Sequence, residues 1–170
     1  MDWKEQLKIL WIDHIMWIRH YIGSVIFGLR DFNPVALRTF RNSRDLAELY
    51  MDFYGPTLAA QIEALLNQDI LIVSEIASTM RTRGDIEPLK AYWEQNKDAL
   101  INTIAAASPQ IDTAALHEAF DTKFQLELDL IRNLVDEDYA KSIEKYDALR
   151  DNALKIANIT IGAIPGQLQP

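Results

Sequence analysis

The chain of 170 residues contains no cysteine. That absence excludes disulfides, thiolate metal sites and cysteine nucleophiles together, and it points to a reducing, cytoplasmic setting. Glycine and proline are scarce, with six of each, so the chain has few places to turn and long stretches between them. Histidine is scarcer still: His14, His20 and His117 are the only three. No Glu-x-x-His pair occurs, which excludes the di-iron bundle signature, and no His-Glu-x-x-His, which excludes the corresponding zinc enzymes. Gly-rich phosphate loops and a serine elbow are missing as well. Positive charge is in deficit, 17 Lys and Arg against 25 Asp and Glu. A net charge of −8 with a pI near 4.8 excludes a binder of phosphate backbones, which needs a basic face to displace counterions. Nucleic acid is therefore not an expected partner. No long hydrophobic run is present either. The most apolar region, Ile9 to Leu29, is interrupted by Asp13, His14, Arg19 and His20, each costly at membrane depth, so no membrane partner is expected. The opening "MDWKEQLKIL" lacks the charged, apolar and small-residue order of a signal peptide.

What the sequence has in abundance is helical periodicity. No stretch alternates apolar and polar residues long enough to suggest a sheet, so the class is all-α, one domain over 1–170. The expected architecture is an up-and-down helical bundle of four long helices plus additional crossing helices, since short connections between long helices favour antiparallel neighbours. A first helix is expected from about Asp2 to Leu29, ended by "RDFNP". Two shorter pieces follow, Pro34 to Phe40 and Arg44 to Phe53, with Asn42 or Ser43 capping the second. "YGP" at Tyr54 to Pro56 closes one helix and opens the next, which runs to about Thr82. "RGD" at Arg83 to Asp85 reads as Gly84 terminating and Asp85 capping, not as a recognition motif. Helices over about Ile86 to Ala106, Asp112 to Val135 and Glu137 to Ile164 complete the chain before a tail, "PGQLQP", expected to fray.

Residues three and four apart share a helix face, and on four faces the apolar stripe is interrupted by ionisable groups. On the first, Leu7, Leu10, His14, Trp17, Tyr21 and Val25 align, so His14 points at the core while Asp13 and His20 lie off the stripe. On the next long helix Asp69 stands among Ile62, Leu65, Ile72 and Ile76. Lys123 and Glu127 interrupt Leu116, Phe120, Leu130 and Leu134, and Asp147 and Arg150 interrupt Ile143, Leu154 and Ile161. An unpaired buried charge costs several kcal/mol, so these groups are expected to meet. The expectation is one polar layer of His14, Asp69, Lys123, Glu127, Asp147 and Arg150, with a carboxylate, Asp69 or Asp147, as the partner of His14. Such a layer is either a structural ion-pair network that fixes helix register or a small-ligand site. A divalent metal ion on His14, Asp69, Glu127 and Asp147 is the one cofactor this pattern admits, and the ammonium of Lys123 argues against it. The tryptophans at 3, 11, 17 and 93 read as core and boundary aromatics, with an exposed Trp3/Trp11 pair as the alternative.

Leu10, His14, Trp17, Arg19 and Ile22 resemble the leading motif Leu-x3-His-x2-Trp-Thr-Arg-x2-Ile of a family of small all-helical bacterial proteins. Further landmarks follow in order: "RNSRD" at Arg41 to Asp45, "FYG" at Phe53 to Gly55, "LLNQDI" at Leu65 to Ile70, "WEQN" at Trp93 to Asn96, "DY" at Asp138 to Tyr139 and "YDAL" at Tyr146 to Leu149. The resemblance implies a helical bundle, similar in character to metal-binding bundles of the DinB-like group. It also implies histidines at the positions of Asp69 and Lys123. This chain keeps His14 and Asp147 but departs at both of those positions, and has Ile18 where threonine is usual. An acid and a lysine in place of two histidines imply a salt bridge substituting for a site.

Two readings of function follow. The first is a non-enzymatic helical-bundle protein whose polar layer is structural or holds a small ligand. The second is a metal-dependent hydrolase or transferase of DinB-like type. A homodimer is also compatible, because two of the long helices are apolar nearly all round.

Overall fold

The computed structural model describes residues 2–164, which form six helices and, among the described residues, no strand. They are α1 (Trp3–Phe27), α2 (Phe32–Tyr54), α3 (Pro56–Arg81), α4 (Glu87–Ala107), α5 (Thr113–Val135) and α6 (Tyr139–Ala163). The tail "PGQLQP" lies outside the described residues. The plan thus has six helices of similar length, 21 to 26 residues, in place of four long helices with crossing pieces.

The largest departure is α2. Pro34 falls in its first turn, where a missing N–H breaks no intrahelical bond, and nothing from Arg41 to Ser43 interrupts a helix. The two expected pieces are therefore one continuous helix. Asn42 and Ser43 are not caps but fully buried interior residues. Gly28 ends α1 with φ 61° and ψ 41°, the left-handed closure that glycine adopts without strain. At the end of α3 the left-handed residue is Arg83, φ 58°, rather than the expected Gly84. Gly84 is needed for space: a Cβ there would come within 2.9 Å of the Thr79 side chain. Side-chain oxygens cap the starts of α5 and α6, Asp112 accepting from the Ala115 N–H at 2.9 Å and Asp138 from that of Lys141 at 3.2 Å. Asp85 accepts from the Glu87 N–H at 3.0 Å, but it lies one residue before the N-cap position of α4, which Ile86 holds without a side-chain cap.

Each helix packs against its successor, and α1 also touches α3, α5 and α6. Cross-helix contacts fix the directions. Trp3 meets Phe53 and Tyr21 meets Phe32, so α1 and α2 are antiparallel. Phe27 meets Tyr139 and Arg19 lies over Tyr146, so α1 and α6 are antiparallel too. Trp11 packs edge-on to Phe120 of α5 and is buried, which removes the exposed Trp3/Trp11 pair. Burying each large side chain of this core contributes roughly 1.5–3 kcal/mol. No helix of the described residues is long and apolar enough to cross a membrane.

Candidate functional site

Five helices meet at a small set of buried polar side chains. α5 contributes Lys123 and Glu127, one turn apart, and α3 contributes Asp69. The Lys123 ammonium donates to Asp69 Oδ2 at 2.7 Å. It also lies 2.9 Å from Glu127 Oε1, off the line of a good hydrogen bond, and Glu127 Oε2 has no partner. The other oxygen of Asp69 accepts from the indole N–H of Trp93, on α4, at 2.7 Å. Trp93 is held in turn by stacking on Phe124, ring centroids 3.8 Å apart. Asp69 is thus held by hydrogen bonds at both oxygens, and Glu127 only by its ion pair with Lys123 at one.

His14 of α1 is fully buried, and its partner is not a carboxylate. Its Nδ1 is 2.9 Å from Asn42 Oδ1, while Asn42 Nδ2 donates to the Leu10 carbonyl at 3.1 Å. Since the amide nitrogen is already committed, Oδ1 must accept and Nδ1 must carry the proton, which leaves Nε2 bare. Nε2 has no hydrogen-bond partner. Burial, and then the Lys123 charge, hold the imidazole near pKa 4, so His14 is neutral. Replacing Asn42 by leucine is expected to cost ~1–3 kcal/mol by stranding the His14 N–H. Urea denaturation at neutral pH measures this, and an unchanged midpoint would show that the amide does not hold the ring.

Charge balance explains the carboxyl groups. One buried ammonium faces two buried carboxyl groups, so a fully ionised trio carries a net negative charge out of water. Glu127 has no hydrogen bond beyond its contact with Lys123, so burial weighs on it. Burial, and the Asp69 charge against the opposing pull of Lys123, raise Glu127 to about 7. The two carboxylates push the Lys123 ammonium well above its ordinary value in spite of its burial.

Of the six expected residues, His14, Asp69, Lys123 and Glu127 are buried in the interior, whereas Asp147 and Arg150 are exposed on α6. Both lie outside the core stripe of Leu149, Ala153 and Ile156. Two participants have roles that the sequence reading does not give them: it makes Asn42 a cap and Trp93 a packing aromatic. The Asn42 signal lies in its spacing with Thr39, Leu46 and Leu49 along one face. Nothing in the sequence singles out Trp93 as a donor. Among the described residues, no three His, Asp or Glu side chains are grouped to hold a metal ion. Asp147, the fourth member of the admitted metal set, is at the surface, and the Lys123 ammonium lies between Asp69 and Glu127 where a cation would sit. The residues present do not fit a metal.

Comparison with family models, with curated proteins and with solved structures finds no match to this chain.

Proposed function

We infer that this is a helical-bundle protein that acts by binding rather than by catalysis, and that its buried polar network is a structural lock. The observation that carries the reading is the Lys123 ammonium, fully buried and within 2.7 and 2.9 Å of two carboxyl groups. In metal-binding bundles of the kind this chain resembles, a bound cation would supply the charge that draws facing helices together. Here the side chain of α5 supplies it from within. His14 supports the same reading. An imidazole whose Nδ1–H is held by a neighbour and whose Nε2 is bare has the orientation of a ligating histidine, but a lysine now shares its surroundings. No group in the network is both accessible and paired with a nucleophile, as a hydrolase or transferase of this architecture would require.

Elemental analysis of protein purified without a histidine tag tests the reading. The expected result is no stoichiometric transition metal, before or after incubation with manganese, nickel or zinc followed by gel filtration. A stoichiometric metal that disappears in His14→Ala would overturn it in favour of the metal-dependent enzyme.

A further inference from the structure

We propose that the exposed face of α2, with the adjoining edge of α1, is the interface of a two-fold symmetric homodimer in which the α2 helices of two copies cross antiparallel near Ser43. The proposal is independent of the buried network. It rests on a division of this face into two complementary halves.

Leu37 is the most exposed large hydrophobic side chain among the described residues, 72% accessible. It stands in the N-terminal half of α2 beside Arg38 and one turn before Arg41. In an acidic protein these arginines are poorly neutralised. Arg38 is half-buried, lying over the Trp17 ring at 4.8 Å with its Nη1 buried and without a hydrogen-bond partner. Arg41 reaches Asp45 only at 4.0 Å and is itself 72% exposed. The C-terminal half of the same helix has the opposite character. There α1 and α2 border a groove of about 450 Å³, with Leu10, Leu49 and Met51 among its apolar lining and Asp45, Glu48 and Asp52 as its acids. Among the described residues neither Glu48 nor Asp52 forms an ion pair. One half is an apolar knob flanked by cations, and the other is an apolar groove flanked by carboxylates.

Spacing along the helix makes the halves self-complementary. Leu37 and Leu49 are about 18 Å apart at 1.5 Å per residue. An antiparallel crossing centred at Ser43 brings Leu37 of each copy to the mouth of the other copy's groove, beside the exposed Met51, and sets Arg38 near Glu48 and Arg41 near Asp45. All three contacts form twice, once on each side of the axis, as an isologous interface requires. A parallel crossing in register would set arginine against arginine and acid against acid, which opposes association. The occupant is therefore a second copy, in one orientation.

Sedimentation velocity of the full chain tests the proposal. Wild-type protein is expected to sediment as a dimer at low ionic strength and to dissociate as salt screens the four ion pairs. Asp45→Lys with Glu48→Lys is expected to be monomeric, as is Arg38→Glu with Arg41→Glu. Mixing these two variants in equal amounts is expected to restore the dimer, because each reversed half then meets the other reversed half and the native halves meet each other. Circular dichroism checks that each variant folds. Should Arg38→Glu disturb the packing on Trp17, Asp45→Lys alone and Arg41→Glu alone repeat the test at positions nearer the solvent. A wild-type monomer at low salt, a dimer that survives either reversal, or a mixture that stays monomeric would each overturn the proposal.

Discussion

Lys123→Met is expected to destabilise the protein by ~3–5 kcal/mol, the cost of leaving buried carboxyl groups without their counter-charge. A domain of ordinary stability holds about 5–15 kcal/mol against unfolding, so this single change removes roughly a fifth or more of it. The side chain that replaces lysine is nearly as long and fully apolar, so the loss comes from charge rather than from volume. Two comparisons isolate the cause. Lys97→Met also removes a lysine bound to two carboxylates, Glu94 at 2.6 Å and Asp121 at 2.5 Å, but those partners are 54% exposed. Water takes over their solvation, and the expected cost is roughly 1 kcal/mol or less. Replacing the whole trio, with Asp69→Asn, Lys123→Met and Glu127→Leu together, is expected to recover most of what Lys123→Met loses. Buried ion pairs can often be exchanged for apolar contacts without net cost, and the amide oxygen put in place of the Asp69 carboxylate would still accept from Trp93. Urea midpoints of the four proteins at pH 7 measure all of this. A Lys123→Met protein within about 1 kcal/mol of wild type would remove the network from any structural role.

The buried trio was legible in the sequence because helix periodicity reports burial directly. Asp69, Lys123 and Glu127 each fall where an apolar residue belongs, and an ionisable group there must find a partner. Which partner is a different question, because it depends on how helices pack, and one helix's periodicity does not carry that. His14 was expected to meet a carboxylate and meets the amide of Asn42 instead. The error began in α2, where Asn42 and Ser43 read as a cap between two pieces. Asparagine and serine favour caps in sequence but can also sit inside a helix when their side chains find buried partners, and only packing separates the two cases. Once the two pieces are divided, the helix face that carries Asn42 to His14 cannot be seen. Asp147 and Arg150 failed for a related reason. Their stripe with Ile143 and Ile161 is real, but Ile143, Asp147 and Arg150 on it are exposed, whereas the core stripe runs through Leu149, Ala153 and Ile156. A helix with apolar residues on more than one face offers two stripes, and nothing local says which is inside.

Stability measured against pH is expected to show opposite slopes in His14→Gln and Glu127→Gln. His14 ionises near pH 4 in the folded chain and near 6.5 when unfolded. Between those values the unfolded state binds the extra proton, so the His14 contribution is complete above about pH 6.5 and is lost as pH falls toward 4. Glu127 has the reverse sign. Its folded value near 7 exceeds its unfolded value near 4.5, so the folded state holds the extra proton. Its contribution is complete below about pH 4.5 and is lost as pH rises toward 7. Each group contributes a slope of about 1.4 kcal/mol per pH unit inside its window, and the windows overlap almost completely. In wild type the two slopes cancel between about pH 4.5 and 6.5. Removing His14 exposes the Glu127 slope, so stability relative to wild type should fall as pH rises. Removing Glu127 exposes the His14 slope, and relative stability should climb instead. Taking differences from wild type removes the contribution of surface groups common to all three proteins. Urea unfolding at half-unit pH steps across this window gives the slopes. Two variants that run parallel to wild type would mean that neither group changes its protonation on folding. A Glu127→Gln protein whose relative stability does not climb would mean that the trio remains fully ionised, with its net negative charge sustained inside the bundle.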